Sequence, residues 1–313
     1  MPYRLKSSES LPKGLRRIAR EEIESAERLL RHTTAANRDE AIHEARKSIK
    51  KARALLRLIR PQLDGSREDD RLLREIGHKL SAYRDAQAII EMFDNLNRKF
   101  KNTLKSAAVS SIRRALLQRK EERERNIHIV RTLKKRADSL RAVAKRVDAW
   151  KFRRNFGLIA AALASTYSRS RKAMARVHKK ARPELCHEWR KLVKDHWYHM
   201  RLLVDAWPDW IHGYENSLKD LEMWLGDHHN LQVLRQILAA KPRLYGQPEN
   251  VNLSLDLAGK YQRELRKNAL SLGDRIYEEK PGRFRKQIED FYEAWQSQPK
   301  SLKQFEKEKR KTA

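Results

Sequence analysis

An all-α chain is what this sequence predicts, on three observations. Gly and Pro are scarce, 10 and 9 of 313 residues, and strand-like runs of Val, Ile and Thr are missing. Apolar residues recur at three- and four-residue spacing through most of the chain, the period of a helix with one buried face. The most regular of these stretches occurs twice, 144 residues apart, which points to two helical halves of like topology.

Ser10-Leu11-Pro12 reads as a helix start, with Pro12 tolerated in the first turn. Leu15, Ile18, Ile23, Ala26, Leu29 and Leu30 give that helix an apolar face through about His32. A second helix is expected over 39–60, stopped by Pro61. Helix resumes near Arg67, with Gly77 or Ser81-Ala82-Tyr83 as a break, and again over 84–96. After the basic region 99–154, Phe156–Tyr167 is apolar and helical. Pro183 opens a helix through about Ala206, and Trp207-Pro208-Asp209-Trp210 reads as a turn. Residues 216–225 form a helix broken or kinked at Gly226, and 229–240 follow to Pro242. A loop over 243–252 precedes a helix over 253–279, despite Gly259 and Gly273. Pro281-Gly282 then separates it from a last helix over 284–295. The domain organisation expected is an N-terminal segment 1–10, a first bundle half 11–148, a second half 149–295 and a polar, frayed tail 296–313.

The second helix carries the chemistry. Ile42, Ala45, Ile49, Ala52, Leu56 and Ile59 form an apolar stripe. One position on from its members run His43, Arg46, Lys50, Arg53 and Arg57, at 3-4-3-4 spacing, so a cationic row adjoins the buried one. Lys47 and Lys51 widen it. From His43 to Arg57 the row spans roughly 21 Å, a length that suits an extended polyanion better than one small anion.

The whole chain agrees with that chemistry. Lys and Arg number 71 against 41 Asp and Glu, a net charge of +30, which favours nucleic acid, polyphosphate or an anionic membrane surface as partner. Residues 99–154 hold 19 Lys and Arg against 5 acids, which reads equally as a solvated helix or as a ligand-facing surface. Cys186, the single cysteine, allows no intrachain disulfide and no Cys-based zinc site, as expected of a reducing cytosol. Met1–Ser10 has no apolar signal-peptide core, and no run of 18 apolar residues spans a membrane. A cytoplasmic protein, associated with anionic polymer granules, is the localisation expected.

The repeat matches His187-Glu188-Trp189-Arg190-Lys191-Leu192-Val193-Lys194 to His43-Glu44-Ala45-Arg46-Lys47-Ser48-Ile49-Lys50, and Arg201 to Arg57. Its apolar stripe is Cys186, Trp189, Val193, Met200 and Leu203. Arg84-Asp85-Ala86-Gln87 answers His229-Asn230-Leu231-Gln232 at an offset of 145. The second copy has drifted: Asp195 stands for Lys51 and Trp197 for Arg53, so its stripe is less cationic.

The doubled H-x-x-R-x-x-x-K, with Ser81-Ala82-Tyr83-Arg84-Asp85-Ala86-Gln87 and Leu225-Gly226-Asp227-His228-His229-Asn230-Leu231 following each copy, resembles the conserved-histidine α-helical domain (CHAD) family, over about Leu11 to Trp295. The resemblance implies a pair of pseudo-symmetric four-helix bundles forming one domain around a basic central groove or pore. It also implies non-catalytic binding of inorganic polyphosphate, with no cofactor and no metal. The residues it marks for polyphosphate are His43, Arg46, Lys47, Lys50, Lys51, Arg53, Arg57, His187, Arg190, Lys191, Lys194 and Arg201, with Arg84, His199 and His229 as secondary candidates. Arg forks suit phosphate oxygens and Lys supplies point charges. The histidines are neutral donors until a bound anion raises their pKa, so binding is expected to take up protons.

Three rival readings stand beside it. Nucleic acid is the strongest, since Trp197 and Tyr198 interrupt the second stripe and base stacking needs exposed aromatics. Asp227-His228-His229, joined by His187, His196 and His199, invites a metal-dependent phosphohydrolase, although hydrolysis needs further converging carboxylates. An interaction scaffold on a membrane surface is the third, and no basic helix here carries the bulky exposed apolar face it needs.

Overall fold

The computed structural model describes residues 3–63, 66–101, 103–125, 129–151 and 155–298, with the side chains of 66, 82–84, 123–125 and 129–131 outside that description. Among the described residues the regular structure is helical, without a strand. In the first part of the chain lie α1 (Leu11–Arg31), α2 (Arg38–Ile59), α3 (Ser66–Lys99), α4 (Ser106–Arg125) and α5 (Ile129–Arg146). In the second lie α6 (Phe156–Lys179), α7 (Pro183–Arg201), α8 (Pro208–Ala240), α9 (Pro248–Ile276) and α10 (Pro281–Ser297). The expected tail beyond Gln298 lies outside the described residues.

A proline in the first turn opens α1, α7, α8, α9 and α10, where its missing N–H has no intrahelical partner to lose. This corrects two readings of the sequence. Trp207-Pro208-Asp209-Trp210 is the start of α8 rather than a turn, and α9 begins at Pro248, inside the expected loop. The irregular link lies earlier, at 202–207 after α7 ends at Arg201.

The expected breaks at Gly77, Ser81–Tyr83 and Gly226 do not occur. Both α3 and α8 run unbroken through them, over 34 and 33 residues, about 50 Å each. Gly in a helix costs about 1 kcal/mol relative to Ala, which packing along helices of this length offsets.

Packing follows the same order in both parts. α1 packs on α2, α2 on α3 and α3 on α4, while α5 returns to α1. α6 packs on α7, α7 on α8 and α8 on α9, while α10 returns to α6. The parts meet where α2 lies against α7 and α3 against α8. The apolar stripe read from α2 is buried along its whole length, as is that of Cys186, Trp189, Val193, Met200 and Leu203.

Two hydrophobic clusters result, and each draws on both parts of the chain. The larger joins α1, α2, α5, α6, α7 and α10 with Leu73, Ile76 and Leu80 of α3 and Leu218, Leu221 and Leu225 of α8. The smaller joins α4 and the start of α9 with Ile89, Phe93 and Leu96 of α3 and Leu231, Leu234 and Leu238 of α8. Each long helix therefore changes core between Leu80 and Ile89, or between Leu225 and Leu231. The second repeated motif falls at these two waists in the sequence.

Residues ahead of α1 also contribute. Tyr3 and Leu5 are buried against the α2–α7 seam; Tyr3 Oη donates to the Lys51 carbonyl at 3.1 Å and the Leu5 amide to that of Leu202 at 2.9 Å. No helix among the described residues is long and apolar enough to cross a membrane.

Candidate functional site

The waist of α3 and α8 is where the first turns of the two repeated stripes come together. From α2, Arg46 reaches the α3 waist: its guanidinium donates to the Leu80 carbonyl at 3.2 Å and to Asp85 at 3.3 Å. From α7, Arg190 and Lys194 both reach Glu222 of α8, at 3.0 and 2.7 Å. Lys50 of α2 sits in the same neighbourhood and, among the described residues, has no carboxylate within ion-pair distance, though Glu222 acts on it from farther off. Burial, and then Lys194, Arg46 and Arg190, bring its pKa down to about 7.

Glycine at 226 is what lets Arg190 lie there. A Cβ on Gly226 would stand 3.2 Å from one guanidinium nitrogen and 3.3 Å from Nε, tighter than ordinary van der Waals contact. The residue read as a helix breaker is thus a landing for the guanidinium, inside a continuous helix. The Arg190 Nε is itself buried without a hydrogen-bond partner among the described residues.

The charges here distort one another. Burial favours the protonated form of Glu222, but Lys194 and Arg190 outweigh it and hold the carboxyl below its ordinary range. Burial lowers Lys194, with Glu222 opposing and Arg190 adding to the effect. Asp227 goes the other way: burial raises it, against Arg190. His187 and His229 stack with ring centres 4.1 Å apart. Burial and the partner ring take His187 down to about 4, and burial with Arg190 lowers His229, so both rings are neutral at pH 7. Lys191 is exposed on the rim. Lys47 is exposed and pairs with Glu44 at 3.2 Å, and His43 is exposed beside the same carboxylate, 3.8 Å away.

The other residues marked in the sequence stand apart from this group, each against an acid or a carbonyl. Lys51 pairs with Glu22 at 2.8 Å, Arg53 with Asp70 at 2.8 Å, and the Arg57 Nε with Asp195 at 2.8 Å. Arg201 pairs with Glu215 at 3.2 Å and lies over the Trp197 ring. His199 is 1% exposed and donates from Nε2 to the Ala54 carbonyl at 2.9 Å. It is an interior bolt between α7 and α2, and burial takes its pKa down to about 4. That removes it from any ligand-facing surface. The side chain of Arg84 lies outside the described residues.

Asp195 shows why the row shortens. The acid that replaces a lysine in the second copy closes on Arg57 of the first, across 138 residues of sequence. Glu222 was invisible to motif reading, but a signal for it exists. It stands four residues before Gly226 and so on the same helix face, the face that meets the helix covering the glycine.

The histidines that a metal reading needs are scattered. His196 is fully buried in a box of Tyr167, Tyr214, Tyr277 and Phe284, His199 is on Ala54, and His228 is buried near Gln262. Among the described residues, no three His, Cys, Asp or Glu side chains group as metal ligands. The aromatics of the second stripe are packing elements: Trp189 is fully buried, and Trp197 stacks on Tyr198 and donates to Glu215 at 3.2 Å.

An all-helical chain with a doubled His-Arg-Lys helix and cations gathered at the waist of two long helices defines a class. The chain belongs to the CHAD domain family, whose model matches residues 17–239, from α1 to the end of α8. A comparison with curated proteins found no match.

Proposed function

We propose that this protein binds inorganic polyphosphate without transforming it, on the surface where the repeated helices meet. The observation that carries the reading is Lys50. A lysine with no carboxylate in ion-pair range among the described residues, set among Arg46, Arg190 and Lys194 with Glu222 as the opposing acid, leaves a local excess of positive charge that a chain of phosphates would offset. Membership in the CHAD family, which is associated with polyphosphate binding, supports the same ligand.

The basic groove on this reading is the seam between the first turns of α2 and α7, floored by the α3 and α8 waists. The matching order of helix packing in the two parts supports an approximate twofold relating α2 to α7 and α3 to α8. Ligand contact is assigned to Arg46, Lys50, Arg190 and Lys194, with His187 and His229 as neutral donors and His43, Lys47 and Lys191 on the rim. Lys51, Arg53, Arg57 and Arg201 hold the helices together instead. A non-catalytic role in the cytoplasm, with polyphosphate as the partner, fits this arrangement of fixed cations.

Polyphosphate is favoured over nucleic acid because the aromatics beside the cations are engaged in packing, whereas base stacking needs a free ring face. Competition tests the reading. Labelled long-chain polyphosphate bound to the full chain should resist RNA and DNA at equal phosphate concentration, and its affinity should fall steeply with salt. Displacement by nucleic acid at lower phosphate concentration would overturn the choice of ligand.

A further inference from the structure

We propose that Glu222 is a built-in competitor for the bound anion, and that it makes the site select long phosphate chains over single phosphates. The inference rests on the polyphosphate reading and adds to it the residue that sets the length preference. Glu222 Oε1 accepts from Lys194 Nζ at 2.7 Å and stands 3.0 Å from Arg190 Nη2. One carboxylate oxygen thus holds a cation pair from the repeated helix. Lys50 is close enough to act on Glu222 electrostatically, and Asp227 and the Tyr198 hydroxyl are the other titratable groups that feel it.

The arrangement has a direct consequence for ligands. A carboxylate fixed on α8 competes with any incoming anion at a high effective concentration, because it is part of the same molecule. A single phosphate offers Arg190 and Lys194 contacts much like those Glu222 already makes, so its net gain is small. A polymer also meets cations that Glu222 does not hold: Lys50 and, on the exposed carboxylate of Asp85, Arg46 across the seam, and Lys191 on the rim. Those added contacts are what displace Glu222, and only a chain of phosphates supplies them together.

The first half of the chain places its carboxylate differently, with Asp85 of α3 on Arg46 at 3.3 Å. At the repeat offset, Glu222 corresponds to Gly77 or His78, and Gly77 brings no side chain to the α2 cations. The carboxylate that holds two stripe cations at once is therefore on the α7 side, whereas Asp85 holds Arg46 alone and is largely exposed. Gly226 adjoins the same device, since a Cβ there would stand 3.2 Å from the Arg190 guanidinium and press against it.

The experiment is titration calorimetry of the full chain with orthophosphate, tripolyphosphate and long-chain polyphosphate, on wild type, Glu222→Gln and Glu222→Ala, with melting curves for each. Wild type is expected to show a steep rise in affinity with chain length. Glu222→Gln should bind tripolyphosphate about tenfold more tightly and long chains only marginally better, which flattens the length dependence. Glu222→Ala repeats the test if the glutamine variant does not fold. Unchanged or weaker binding of short phosphates by the folded variants overturns the competitor role and makes Glu222 a clamp that positions Arg190 and Lys194. Wild type that binds no polyphosphate of any length would instead overturn the function proposed above.

Discussion

The two halves of α2 carry the same kinds of side chain at the same spacing and meet opposite surroundings. Toward its N-terminus, Arg46 and Lys50 face Arg190 and Lys194, with Glu222 and Asp85 as the acids between them. Toward its C-terminus, Lys51, Arg53 and Arg57 each face a carboxylate, from α1, α3 and α7 in turn. The difference lies entirely in the neighbours. A cation on a helix becomes a ligand contact or a structural rivet according to what the facing helix offers, and an amphipathic stripe records only which side it is on.

The largest effect separating the two regions should come from Arg46→Ala with Lys50→Ala. Loss of two charge-assisted contacts should weaken polyphosphate binding about a hundredfold while the melting temperature holds or rises, because mutual repulsion is relieved. Equilibrium binding and a thermal melt on the same sample measure both. Unchanged affinity would move the ligand away from the waist, to the basic region 113–154.

Arg57→Ala should do the reverse. It leaves Asp195 half-buried without its partner, a loss of about 2 kcal/mol, between the limits for exposed and buried ion pairs. Polyphosphate affinity should stay within about threefold of wild type. Denaturant unfolding read beside binding decides it, and a large affinity loss at unchanged stability would erase the distinction between the two ends of α2.

The smallest effect is on pH dependence. With its pKa near 7, Lys50 is partly neutral in the free protein at neutral pH, and a bound anion favours its charged form. Binding should therefore take up protons and weaken several-fold between about pH 6 and about pH 8.5. Lys50→Arg keeps the charge at every pH in that range, so it should flatten the slope without abolishing binding. Calorimetry in buffers of different ionisation enthalpy reads the proton directly; an identical slope in the variant would assign it to His187, His229 or the ligand. The lysine, more than His187, is then the group that titrates near neutrality, since His187 is already displaced to about 4.

The buried face of α2 was fully legible in the sequence, because period and apolarity dictate it: every member of its stripe is in the core. Helix ends were legible where proline acts, once its place in the first turn is recognised as permissive. The two glycines misled because a helix breaker judged by intrinsic propensity ignores what packs on it. Gly226 is held by Arg190, and Gly77 lies on Ile49. The split of the cationic row was not legible at all. Glu22, Asp70 and Asp195 come from three different helices, and no local spacing announces an acid 138 residues away. His199 failed as a candidate for the same reason, since a matching hydrogen-bond acceptor on α2 drew it inward.

The cluster of cations around Lys50 also bears on what the folded state is stable in. An anion that binds the assembled waist and not the unfolded chain stabilises the fold by mass action, by about 2.7 kcal/mol when its free concentration is a hundred times its dissociation constant. On the polyphosphate reading proposed above, the counterion would thus be a component of the native state. Melting in an anion-free buffer and melting in the presence of polymer describe two different equilibria of one fold.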